Sequence, residues 1–177
     1  MNFKEYQVAS RTTASYPNLG KSIEYPLMGL MGEFGEICEK FKKVLRDSNG
    51  VMTTERRDGL VGELGDLMWY LFQIYSEGKI DFEREYEEKQ LFIEQASSSL
   101  NILVAMNCAI SDIAMFCVSK NTVLLSCLTE PSNSLVACIK LICKICGSSI
   151  EEVMDKNTEK LKSRKERGVI KGDGDSR

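Results

Sequence analysis

Apolar residues along this chain return every three or four positions, and that period predicts helices almost throughout. Leu27, Leu30, Phe34, Ile37, Phe41 and Val44 form one such stripe. It predicts a helix that opens near Pro26, where a missing N–H costs little, and runs to about Leu45. The run Asp47-Ser48-Asn49-Gly50 ends it. Thr53 or Thr54 can cap a following helix with the stripe Leu60, Leu64, Leu67, Leu71 and Ile74, broken at Gly78. Residues 2–13 predict a first helix and 17–20 a turn. Residues 81–95 read as a charged, solvated helix and 97–118 as an apolar one. Residues 129–134 (TEPSNS) read as a loop and 135–146 as a further apolar helix. Gly147-Ser148-Ser149 stops that helix and caps a last one, which runs to about Arg167 with Glu151 and Glu152 in its first turn. The rest, GVIKGDGDSR, is a Gly-rich polar tail suited to disorder or to a flap over phosphates. Strand signals are scarce, so the expected fold class is all-α.

A length of 177 residues suits one domain, or one domain with a large insertion. The net charge of −3 gives no global reason to expect nucleic acid as a partner. Charge is uneven, however: residues 156–177 hold eight bases and four acids, which suggests local work on an anion. The opening MNFKEYQVAS lacks the apolar core of a signal peptide. The most apolar stretch, 100–118, carries Asn101, Asn107, Ser111 and Asp112, which a membrane span tolerates poorly. It reads as a buried helix, and the expectation is a cytoplasmic protein with no membrane partner. Seven cysteines, mostly in apolar helical runs, fit reduced thiols in a core. Cys143 and Cys146 form a CxxC, but neither a second pair nor a histidine is there to complete a zinc site.

The chain has no histidine. That excludes Ser-His-Asp and Cys-His nucleophile systems and the Glu-x-x-His di-iron bundle. Catalysis must fall to carboxylates, metal ions, Lys, Arg or Cys. Against this background one repeated phrase stands out. Gly32-Glu33-Phe34-Gly35-Glu36-Ile37 returns thirty residues later as Gly62-Glu63-Leu64-Gly65-Asp66-Leu67. Each copy sets two carboxylates three residues apart, neighbours on one helix surface. If the two apolar stripes pack together, four carboxylates converge and need cations between them, with Mg²⁺ or Mn²⁺ suited to oxygen ligands. Each of the four glycines costs about 0.5–1 kcal/mol inside a helix, and close approach of two backbones is the natural reason for them. A solvated acidic face with small packing residues is the alternative.

GLMGEFGEICEKFKK followed by GELGDLMWYL resembles the paired ExxE…ExxD signature of the MazG-like, all-α nucleoside triphosphate pyrophosphatases. SSIEEVMDKNTEKLKSRKERGVIKGDGDSR is similar to that family's last helix and tail, and EYQVASRT to its N-terminus. The resemblance covers roughly residues 1–76 and 135–177. It implies a four-helix bundle in one domain over 1–177, interrupted by a helical insertion at 77–134, and assembly as homodimers or homotetramers. It implies Mg²⁺, with Mn²⁺ as a substitute, on Glu33, Glu36, Glu63 and Asp66. It implies Glu36, or Glu33, as the base that activates water, and Asn157, Lys160, Arg164 and Arg167 as contacts to phosphate or sugar. Lys40 and Lys43 lie within reach of phosphate, and Trp69 offers either a stacking face for the base or a core packing residue.

The implied reaction is hydrolysis of a (deoxy)nucleoside triphosphate to a monophosphate and pyrophosphate, a cleaning of the nucleotide pool. Phosphoribosyl-ATP pyrophosphohydrolysis is the enzymatic alternative. A non-catalytic helical oligomer that binds a nucleotide or protein is the alternative from another class. The insertion departs from compact family members, and its apolar helix must bury a face against the bundle or another subunit.

Overall fold

The computed structural model describes residues 1–85, 98–119 and 127–169. These form seven helical segments, and there is no strand among the described residues: α1 (Phe3–Thr12), α2 (Glu24–Asp47), α3 (Thr54–Glu77), α4 (Phe82–Glu85), α5 (Ser99–Val118), α6 (Thr129–Ile145) and α7 (Ile150–Glu166). The fold is all-α.

Local chemistry sets the helix ends. Asn2 and Glu5 form a reciprocal capping box at α1. Thr53 accepts from the Arg56 N–H at α3, and Ser149 from the Glu152 N–H at α7. Each such cap satisfies an otherwise orphaned donor and is worth about 1 kcal/mol. Gly147, at φ 62°, and Gly168, at φ 71°, take the left-handed turn that closes α6 and α7.

Helices α2 and α3 pack as an antiparallel hairpin, and α3 also lies against α1 and α7. It is therefore buried on several sides, with Leu60, Leu64, Leu67, Met68, Leu71 and Phe72 fully covered. Helix α5 pairs with α6 and touches α2. The apolar helix of the expected insertion thus buries its face within its own chain.

Three expectations change here. Residues 129–134 are helical, not a loop. Pro131 is the third residue of α6, within the first turn, where its missing N–H is no loss. Helix α5 is buried on one face only. Ile102, Met106, Ala109, Ile110, Ile113 and Cys117 are covered, while Leu100, Val104, Met115 and Val118 are each more than half exposed. It is long and apolar enough to cross a membrane, yet only 33 % of its most apolar stretch is buried in the fold. Phe82, at the start of the expected solvated helix, is a core residue instead, with ring centroids 4.5 Å from Phe72 and 4.8 Å from Tyr75. The remainder of that helix and the last eight residues of the tail lie outside the described residues.

Candidate metal centre

The antiparallel crossing of α2 and α3 sets Glu33 opposite Glu63 and Asp66. One oxygen from each of these three lies within 4.8 Å of the others. Among the described residues this is the group that could hold a metal ion, and the CxxC cysteines belong to no such group. Burial pushes the Cys143 thiol up to about 12 and the Cys138 thiol to about 11, which keeps both protonated and unreactive at neutral pH.

Each wall of the cluster is held differently. Glu63 is 6 % exposed and pairs with Lys40 at 2.9 Å. Asp66 accepts from Asn157 Nδ2 at 2.8 Å, and Lys160 Nζ reaches both its oxygens, at 2.7 and 2.6 Å. Asn157 is itself 3 % exposed, and its Oδ1 accepts from the Tyr6 hydroxyl at 2.8 Å. A chain of hydrogen bonds thus runs from α1 through α7 to Asp66 on α3. Glu33, on α2, is half-buried. Its carboxyl is pushed up to about 8, first by burial and then by the charges of Asp66 and Glu63, while Lys160 opposes the shift. Glu36 is exposed, adds its charge to Glu33, and stands outside the three-oxygen group.

The glycines of the repeat do not all serve close helix approach. A Cβ at Gly65 would stand 2.9 Å from Asn157 Cβ, so α7 does press against α3 there. At Gly32, Gly35 and Gly62 a Cβ would meet nothing within 4 Å. The tight approach of α2 to α3 falls instead at Gly29, where a Cβ would sit 2.2 Å from the Tyr70 ring. Gly62 and Gly32 lie one turn before Asp66 and Glu36 on the same helix faces, so their missing side chains leave open space along the acidic residues.

Aromatic side chains flank the site. Tyr70 follows Asp66 by one helical turn, and its ring lies against Gly29. Burial raises its phenol, and Tyr25, Glu33 and Asp66 raise it further, so its hydroxyl stays protonated beside the carboxylates. Tyr25 stacks on Tyr16 with centroids 4.9 Å apart and leaves 40 % of its surface exposed. Trp69 faces α1, with Nε1 donating to Ser10 O at 3.2 Å and Thr13 Oγ1 at 3.1 Å. Arg164 is 5 % exposed, one turn beyond Lys160 on α7, and Arg167 is exposed just past the helix end. Lys43 pairs with Glu39 at 3.5 Å.

Sequence reasoning missed Tyr6, Tyr25, Tyr70 and Gly29. Tyr70 alone had a signal, its four-residue spacing from Asp66. Tyr6 and Gly29 gain their roles only from how α1, α2 and α7 dock on α3.

These features define an all-helical protein with a carboxylate cluster built across a helix hairpin and backed by lysines. No family model and no solved structure matches the chain. It is 49 % identical over 79 residues to the Gene 37 protein of Mycobacterium phage L5, an alignment that covers 42 % of this chain and 69 % of that one. The chain belongs to the family of that phage protein, whose name states no activity.

Proposed function

We propose that this protein is a Mg²⁺-dependent nucleoside triphosphate pyrophosphohydrolase of the MazG-like type. The observation that carries the reading is the convergence of Glu33, Glu63 and Asp66 within 4.8 Å, on the repeat that resembles that family's signature. Three carboxylates with no imidazole or thiolate among them are a hard oxygen donor set, which fits Mg²⁺ or Mn²⁺. Glu36, on the rim, adds a fourth. A divalent ion held there would offset the charge of a polyphosphate and acidify water.

The protein's own groups divide the remaining work. Lys160 and Lys40 bring positive charge to the edge of the cluster, where phosphate oxygens would lie. Asn157, fixed by Tyr6, holds Asp66 in place. Tyr70 and the exposed face of Tyr25 offer aromatic surface beside the acids, a place for a nucleobase to lie. Water adds to phosphorus, its proton passes to Glu36 or Glu33, and pyrophosphate departs from the nucleoside monophosphate. The open space at Gly32, Gly35 and Gly62 leaves room for the substrate along the acidic faces.

The test is a panel of dNTPs, NTPs and phosphoribosyl-ATP, with and without Mg²⁺, in which pyrophosphate is assayed separately from phosphate. Mg²⁺-dependent pyrophosphate release, lost in Glu36→Gln, establishes the reaction. Turnover of phosphoribosyl-ATP alone assigns a biosynthetic role instead. The exposed apolar residues of α5 favour the alternative of a non-catalytic helical oligomer. No turnover and no Mg²⁺-dependent nucleotide binding across the panel decides for that alternative. Light scattering reads whether the assembly is a dimer or a tetramer.

A further inference from the structure

The acidic site already contains cations, and they belong to the chain. Glu33, Glu36, Glu63 and Asp66 carry four negative charges when ionised, and Lys40 and Lys160 return two positive ones. The two lysines are placed unlike each other. Lys40 pairs with Glu63, whose side chain is 7 % exposed, and its stem runs along Gly59. Lys160 is 29 % exposed and pairs with Asp66, 18 % exposed, at the edge of the cluster. Its ammonium engages both oxygens of Asp66, at 2.6 and 2.7 Å. The other donor to Asp66, Asn157, is fixed at both ends, by Tyr6 and by Asp66 itself.

An ammonium has three donors and no acceptor, so it cannot share in coordinating an ion. A divalent ion that takes an Asp66 oxygen therefore competes directly with Lys160 and is repelled by it. The flexible four-carbon stem lets the ammonium move while Asn157 keeps Asp66 oriented. We propose that Lys160 is a resident counter-cation of this site, displaced from Asp66 when a divalent ion is taken up and transferred to the phosphate oxygens of the incoming anion. This rests on the pyrophosphohydrolase reading above. It deepens that reading by making ion and polyphosphate uptake mutually reinforcing. The ion frees the lysine for the anion, and the anion gives the lysine a better place than Asp66. By linkage each ligand tightens the other by the same factor.

The experiment titrates the intact protein with Mn²⁺, read by electron paramagnetic resonance, with and without inorganic tripolyphosphate. That probe carries the charge of the substrate without its base. Wild type, Lys160→Met, Glu63→Gln and the remote Lys162→Met are compared, with circular dichroism confirming that each is folded. Removing the competitor should tighten Mn²⁺ roughly threefold to tenfold in Lys160→Met without the anion. In the same variant the mutual tightening between Mn²⁺ and tripolyphosphate should shrink to the part that direct ion–phosphate attraction supplies, and Lys162→Met should match wild type. A lysine that merely props the site would lower both affinities together. Mn²⁺ affinity unchanged or weaker in Lys160→Met, or tightened equally in Lys162→Met, overturns the exchange while leaving the metal site standing. If wild type binds no Mn²⁺, or Glu63→Gln binds it as well as wild type does, the reading of the site itself fails, and the exchange with it.

Discussion

Gly62 and Gly65 occupy matched places in one helix, yet alanine should have opposite effects at the two. In a helix interior, alanine is worth about 0.8–1 kcal/mol over glycine. At Gly62 a Cβ would meet nothing within 4 Å, so that gain should appear in full. For a chain of this length it corresponds to a rise in Tm of roughly 2–4 °C. At Gly65 the same atom would stand 2.9 Å from Asn157 Cβ and 3.1 Å from Nδ2. The Asn157 Cβ is rigidly fixed to the α7 backbone, so relief requires α7 to back away or Asn157 to turn. Either movement strains the bonds from Tyr6 and to Asp66, both 2.8 Å. Overpacking of this kind costs about 1–3 kcal/mol, which leaves Gly65→Ala roughly 0–2 kcal/mol less stable than wild type after the helix gain, and in any case without the gain expected at Gly62. Urea denaturation of both variants in EDTA checks the pair. If Gly65→Ala is stabilised as much as Gly62→Ala, α7 does not press on α3 as described, and the account of how Asp66 is held collapses. Activity separates them again. Gly62→Ala should be the more stable protein and, on the proposed activity, the slower one, because its methyl enters the open space that the proposal gives to the substrate.

Tyr6→Phe removes the donor to Asn157 Oδ1 and leaves that buried oxygen unsatisfied, at a cost of about 1–3 kcal/mol. Because Asn157 orients Asp66, Mn²⁺ affinity should also fall about tenfold, as measured by titration, and intact affinity would show that Tyr6 only packs. The Glu33 carboxyl gives a pH dependence. Its folded value of about 8 lies above the ordinary 4.5, so the folded state holds a proton that the unfolded chain has released between those values. Stability of the metal-free protein should therefore decline as pH rises from about 4.5 to 8, by roughly 2 kcal/mol after solvent screening. On the proposed reading Mg²⁺ displaces that proton, so its affinity should rise over the upper part of the same window. Urea melts at pH 5.5, 7 and 8.5, with EDTA and with Mg²⁺, decide this, and a flat metal-free profile contradicts the burial of Glu33.

The helical period made the α2–α3 hairpin legible, because its apolar stripes are long and regular. The acidic repeat made three of the four expected carboxylates legible, because a three-residue spacing on paired stripes brings Glu33, Glu63 and Asp66 together, while Glu36 stays exposed outside the group. Less visible was anything that depends on how a third element docks. Gly62 and Gly65 read alike in the sequence, and only the seat of Asn157 on α7 distinguishes them. Residues 129–134 failed for a different reason. Proline, serine and asparagine there have the composition of a loop, but in the first turn of α6 the proline is tolerated, and Ser132 and Asn133 are buried. Composition carries no information about which turn of a helix a residue falls in.

The acidic cluster also poses a folding problem before it does any chemistry. Like charges within 4.8 Å of one another oppose the packing of α2 on α3, and the protein meets this in two ways. The Glu33 carboxyl is pushed up to about 8 by burial and by its acidic neighbours, which favours its neutral form, while Glu63 and Asp66 are ion-paired to Lys40 and Lys160. Proton and ammonium are the cations a chain can supply for itself, and on the proposed reading both give way to a divalent ion at the same oxygens. Tyr6 and Asn157, which fix Asp66, would preserve the geometry of that side of the site through such an exchange. The α2 side, where a Cβ at Gly32 or Gly35 would meet nothing within 4 Å, is the side on which the proposed substrate would enter. Stabilising the metal-free fold by neutralising any one of these acids would therefore remove the vacancy for a cation that the proposed activity needs, a conflict between stability and function located in three side chains.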